Sequence, residues 1–163
     1  TLDIDPFPIP HDTRDPVAFR VGRDGRWVGV VTDLGRPTAL VQQRLSTMTV
    51  AVLEFNHDME MLMNGNYPWH LKQRIRSNHG HLSNLQAASL LEGAVGGELR
   101  QVILAHLSEE NNHPMSALTQ ANRVLVELGA QEEVGVLVAD QKQPLSPASV
   151  PLQGPMGRAI DAV

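Results

Sequence analysis

The chain has 163 residues, 42% hydrophobic and 19% charged, with 13 Lys+Arg against 18 Asp+Glu and a formal net charge of −5. This composition excludes disorder and collagen. It fits one domain with a real core, and the acidic balance excludes a protein that coats nucleic acid over its whole surface, while leaving room for a local basic patch. No run approaches the ~20 apolar residues of a membrane-spanning helix, so no membrane partner is expected. With no cysteine there are no disulfides, thiolate metal sites or cysteine nucleophiles, and any metal must use Asp, Glu or the seven His. Thr1 is not a start methionine and no charged-then-apolar leader follows it, so the natural N-terminus is expected to lie outside this sequence.

The first ten residues hold Pro6, Pro8 and Pro10 and read as an extended lead-in to His11. Val17 to Val21 and Arg26 to Thr32 are β-rich, and Asp24-Gly25 between them signals a hairpin. Pro37 opens a short helical stretch to Leu45. Thr49 to Leu53 is a continuous apolar run of the kind covered on both faces. Residues 58–95 read as mostly helical, with breaks at Gly65-Asn66-Tyr67-Pro68 and near Gly80. Ser83 and Gln86 fit a capping box. Gln101 to Ala105 is a further buried-type strand. Pro114 sits at a first helical position, Gly129 closes that helix, and Val134 to Ala139 is a last strand. Strands alternating with helices predict a layered α/β sheet. Residues 1–143 are expected to form the domain and 144–163 a loose tail.

Three apolar strands end in chemistry-bearing residues: Thr32-Asp33, Glu54-Phe55-Asn56-His57-Asp58, and His106. Ligands of open α/β sheets bind beyond the carboxyl ends of the strands, so Asp33, Glu54 and His106 can converge there. Each position alone also has a plain reading as a turn former or cap, though a turn has no special need for imidazole. His11, stiffened by the prolines before it, completes a nitrogen and oxygen set suited to Zn²⁺ or Mn²⁺. The loop Asn78 to Asn84 leads into the capped helix, whose free N–H groups favour an anion. Ser83 and Asn84 are expected to contact phosphate there, and His81 to give a proton or hydrogen bond. Residues 61–91 hold Lys72, Arg74 and Arg76 and no acidic residue. Lys72 and Arg74 are expected to meet substrate phosphates, against the plainer reading of a solvated helix face.

The succession PFPIPHDTRDPVAF, GVVTDLG, VLEFNHDMEMLMNGNYPWHLKQRIRSNHGHLSN and VILAHLSEENN resembles the C-terminal part of the metallo-β-lactamase superfamily. The likeness is greatest to the small bacterial YycJ-type (WalJ-like) phosphohydrolases and runs from about Asp5 to Gln143. It implies an αββα sandwich, of which this chain is the C-terminal βα half, with a dinuclear metal site at one edge that cleaves phosphodiesters. Members of the subgroup are described as nucleases with 5′-to-3′ exonuclease activity on DNA. By the same resemblance His11 is a ligand of one metal, Asp33 bridges both, and His106 is a ligand of the other. His81 corresponds to a histidine that assists phosphate chemistry in related tRNA-processing endonucleases, and Glu54 to an acidic residue kept near the site. Two such metals stabilise attacking and leaving oxygens and lower the pKa of a bridging water towards ~7.

One departure is severe. The superfamily draws most of its ligands from a His-x-His-x-Asp-His motif in its N-terminal half, and that motif is absent from these residues. The chain is therefore expected to be the second half of a longer protein, with two Zn or Mn ions held mainly by the N-terminal half, in cis or on a separate chain. Alone it is expected to be inactive and to bind metal poorly. The substrate is expected to be nucleic acid, DNA ahead of RNA, and the location cytoplasmic. The alternatives are a phosphodiesterase of the same fold for small molecules or nucleotides, and a non-catalytic α/β interaction module.

Overall fold

The computed structural model describes residues 1–146. Residues 147–163, most of the expected tail, lie outside the described residues. Six strands form one sheet in chain order: β1 (Asp3–Pro8), β2 (Val17–Arg23), β3 (Arg26–Val31), β4 (Val50–Glu54), β5 (Gln101–Ala105) and β6 (Gly135–Val138). The first three are antiparallel neighbours, and β3 through β6 are parallel. Among the described residues five helices lie in the connections from β3 onwards: α1 (Ala39–Ser46), α2 (Met59–Asn64), α3 (Trp69–Ile75), α4 (Asn84–Ala94) and α5 (Pro114–Glu127).

Local chemistry explains most of these elements. Asp24 and Gly25 both have positive φ, at 53° and 79°, as a tight β-hairpin turn requires. The β4–α2 corner is held by Asp58, whose carboxylate accepts from the N–H groups of Glu60 and Met61. The capping box at Ser83 and Gln86 is formed, and Pro114 occupies the start of α5. Two details differ from expectation. The proline-rich lead-in is an edge strand, which tolerates Pro6 and Pro8 because its outer edge needs no hydrogen-bond donors. The first helix begins after Thr38, whose hydroxyl accepts from Val41 N–H, and Pro37 lies just before that cap.

Parallel strands added in one direction, joined by right-handed crossovers, put every connecting helix on the same face of the sheet. Burial follows that rule. Val31, Leu53 and Leu104 lie side by side and are buried under the helices, as are Ala51 and Val102. The core is completed by Val41 and Leu45 of α1, Leu90 and Leu91 of α4, and Ala121 and Leu125 of α5, with α4 between α1 and α5.

The opposite face is apolar and, among the described residues, uncovered by any helix. Ile4, Val21 and Val28 form one row across β1–β3, and Pro6, Phe19 and Val30 the next. The second row continues through Val52, Ile103 and Leu137. Ile4 is 70% exposed, Val28 49% and Phe19 43%. The expectation that the Thr49–Leu53 run is covered on both faces is therefore corrected: Val50 and Val52 are half-buried because every packed helix lies on the other side. No helix among the described residues is long and apolar enough to cross a membrane.

Candidate active site

The carboxyl ends of β3, β4 and β5 meet at one edge of the sheet. Glu54 is the last residue of β4, His106 follows β5 directly, and Asp33 lies two residues beyond β3. Asp33 and His106 both sit in the left-handed region, with φ of 60° and 57°. Residues other than glycine are held there at a cost, and such positions gather at functional sites.

Glu54 organises the site. Fully buried, it accepts on one carboxylate oxygen from the Asp33 N–H at 2.7 Å, from His106 Nδ1 at 2.7 Å and from His81 Nδ1 at 3.3 Å. Its other oxygen accepts from the Leu82 N–H at 2.7 Å. Burial alone would raise its pKa, but the bonds from His106 and His81 hold it down at about 2, against an ordinary 4.5. The same bond from Glu54 raises the pKa of His106. With both Nδ1 atoms engaged, His81 and His106 have Nε2 free to meet a ligand.

His11 arrives from the end of the β1 loop. Its Nδ1 bonds the Gly80 carbonyl at 3.0 Å and its Nε2 lies 3.6 Å from an Asp33 carboxylate oxygen. The three imidazoles stand in a row, His81 being 5.1 Å centroid to centroid from both His11 and His106. Asp33, Glu54, His81 and His106 each offer a ligand atom within 4.8 Å of the others, a group that could hold a metal ion. In donor chemistry the residues fit a divalent cation. Each imidazole has one nitrogen oriented by an oxygen acceptor and the other left for a metal, the pattern that fixes histidine ligands in metal sites.

A cleft of about 1050 Å³ opens over this edge. His11, His81 and His106 line it, with Tyr67, Leu71, Arg74 and Ile75 on the α3 side and Glu109, Glu110 and Asp140 on the side of the loops after β5 and β6. Arg74 pairs with Asp12 at 2.5 Å across the rim, which raises the Arg74 pKa and lowers that of Asp12.

Three residues expected to contact phosphate are bonded within the protein. Ser83 and Asn84 are buried. Ser83 caps α4, with its N–H and hydroxyl bonded to Gln86 Oε1, and Asn84 N–H bonds the His57 carbonyl. The helix start therefore has those N–H groups already satisfied instead of free for an anion. Lys72 is also buried, and its ammonium donates to the Met63 and Gly65 carbonyls at 2.7 Å each. Of the basic pair expected to meet phosphates, only Arg74 lines the cleft.

A cluster of side-chain amides was not anticipated. Asn56 donates to the His106 carbonyl at 2.9 Å, which helps hold His106 in its left-handed turn. Asn112 donates to the Phe55 and Asn56 carbonyls and exchanges bonds with Asn84. A sequence signal for this existed in the asparagines that follow β4 and β5. The His57 side chain is buried with neither ring nitrogen hydrogen-bonded, and burial lowers its pKa to about 4.

No family model matches the chain. Among curated proteins it is 32% identical over 145 residues to the exodeoxyribonuclease YycJ of Bacillus anthracis, a match over 88% of this chain and 55% of that protein. It is 34% identical over 136 residues to the exodeoxyribonuclease WalJ of Streptococcus pneumoniae, over 83% of this chain and 49% of that protein. The chain thus spans about half the length of the curated relatives it matches. Among solved structures, the metallo-β-lactamase fold protein YhfI from Bacillus subtilis superimposes with a TM-score of 0.60 at 14% identity, over 85% of this chain and 47% of that one. Zn²⁺-bound PqqB from Methylobacterium extorquens gives 0.51 at 15% identity, over 90% and 50%. The chain has the fold of about half of a metallo-β-lactamase-fold protein and is similar, over most of its own length, to the YycJ and WalJ exodeoxyribonucleases.

Proposed function

We propose that this chain is the C-terminal, substrate-facing half of a metal-dependent phosphodiesterase that acts on nucleic acid, DNA in the first place, in the cytoplasm. The observation that carries this reading is the row of three imidazoles beside Asp33, two of them oriented by the buried Glu54, at the strand ends. His11, Asp33 and His106 hold divalent cations, Zn or Mn, with further ligands from a second half of the fold, in cis or as a separate chain. When bound, such ions supply Lewis acidity and a water acidic enough to ionise near neutral pH. His81, kept with its Nδ1 on Glu54, presents Nε2 to the substrate and gives a proton to the leaving oxygen. Arg74 exchanges Asp12 for a substrate phosphate. The uncovered apolar sheet face is the surface on which the second half packs, since a face of this extent left to water is unfavourable.

The test is metal-dependent hydrolysis of a simple phosphodiester and of DNA by the complete protein. Asp33→Ala and His106→Ala should each abolish both, and near-normal turnover in both variants would refute the reading. His81→Ala should lower turnover and leave metal content nearly intact. One observation favours the small-diester alternative: with Lys72 buried and Arg74 paired to Asp12, little free positive charge lines the cleft. A steep fall of affinity with salt marks a polymer, and a shallow one a small ligand.

A further inference from the structure

The cleft has a wall that the phosphate chemistry leaves unused. Leu71 and Ile75 stand four residues apart on one face of α3, Tyr67 lies in the turn before it, and all three are half-buried along the cleft. They turn an apolar strip towards a floor of imidazoles.

The strip is rigidly joined to that floor. The His81 N–H donates to the Ile75 carbonyl at 2.8 Å. Gly80 packs against the end of α3 so closely that an added Cβ would lie 2.1 Å from the Ile75 carbonyl oxygen. On the other side of the strip, Lys72 closes the turn that carries Tyr67 by holding the Met63 and Gly65 carbonyls. The facing wall carries Glu109, Glu110 and Asp140, which repel a phosphate backbone.

We infer that Tyr67, Leu71 and Ile75 form the seat for the unstacked base of the terminal nucleotide, beside the phosphate to be cut. This rests on the phosphodiesterase reading above. An aromatic ring and two aliphatic side chains grip the π-face of any base and read no base edge, so the seat is indifferent to sequence. Its attachment through Ile75 to His81 keeps the base in register with the group that serves the leaving oxygen.

The experiment compares kcat/KM of the complete, metal-loaded protein on two oligodeoxynucleotides that differ only in whether the terminal nucleotide carries a base or is abasic. Stacking contributions of the usual size predict that wild type cuts the abasic substrate roughly tenfold to a hundredfold more slowly. Tyr67→Ala should lose a similar factor on the normal substrate, and the two losses should not multiply. Tyr67→Phe, which keeps the ring, should restore the preference for the base. Leu71→Ala gives the same comparison if Tyr67→Ala fails to fold. Equal cutting of the two substrates by wild type, or losses that multiply, would overturn the seat. If wild type cut neither substrate with Zn or Mn, the phosphodiesterase reading itself would fail, and the seat with it.

Discussion

Glu54→Gln changes one oxygen to an amide group in a site where the carboxylate accepts four bonds. Glutamine has a single acceptor oxygen. If its NH₂ took the place that now serves Asp33, His81 and His106, it would face three donors. The better orientation puts the NH₂ against the Leu82 N–H, which leaves that buried donor unpaired at about 1–3 kcal/mol. It also turns the charge-assisted bonds to the imidazoles into weaker neutral ones. Together these put the loss of stability at about 2–4 kcal/mol, which a shift of the urea midpoint at constant slope would read. Because Glu54 orients His81 and His106, the zinc affinity of the complete protein should also fall, roughly 10- to 100-fold by competition with a chelator. A change under about 0.5 kcal/mol, small even for an exposed side chain, with unaltered zinc affinity would refute the central place given to this carboxylate.

Asn112→Ala should cost about 2–4 kcal/mol in urea unfolding, since it strands the Asn84 amide and the Phe55 carbonyl in the interior. The depressed pKa of Glu54 sets the acid response: its stabilisation is complete above about 4.5 and drains away as pH falls towards about 2. Denaturation followed against pH should show that component in wild type and lack it in Glu54→Gln. His106 acts in the other direction. In the metal-free protein its contribution is complete below about 6.5 and is lost as pH rises through its raised pKa. Arg74→Ala should leave the melting temperature nearly unchanged, because the Asp12 pair is open to solvent, while the slope of log affinity for DNA against log salt falls by about one.

The strand cores were legible because unbroken apolar runs such as Gln101 to Ala105 have few other uses, and the caps because Ser83–Gln86 and Pro114 carry their meaning within one helical turn. Convergence of Asp33, Glu54 and His106 was legible too, from the rule that parallel strands point their carboxyl ends the same way. What escaped were roles fixed by contacts far apart in sequence. Lys72 reads as a surface cation until Met63 and Gly65 turn their carbonyls towards it. Asn112 reads as a loop residue until β4 passes beneath it. The proline-rich start was hidden because strand statistics penalise proline, and only its position at the sheet edge removes the penalty.

The bare side of the sheet and the candidate active-site edge belong to the same strands. Val30, Val52 and Ile103 on the open surface sit within three residues of Asp33, Glu54 and His106. On the function proposed above, a layer settling there packs against the backbone that carries the proposed ligands. Its association and metal binding are then thermodynamically linked, so a complementing half added in trans should tighten the retention of a divalent cation as its concentration rises.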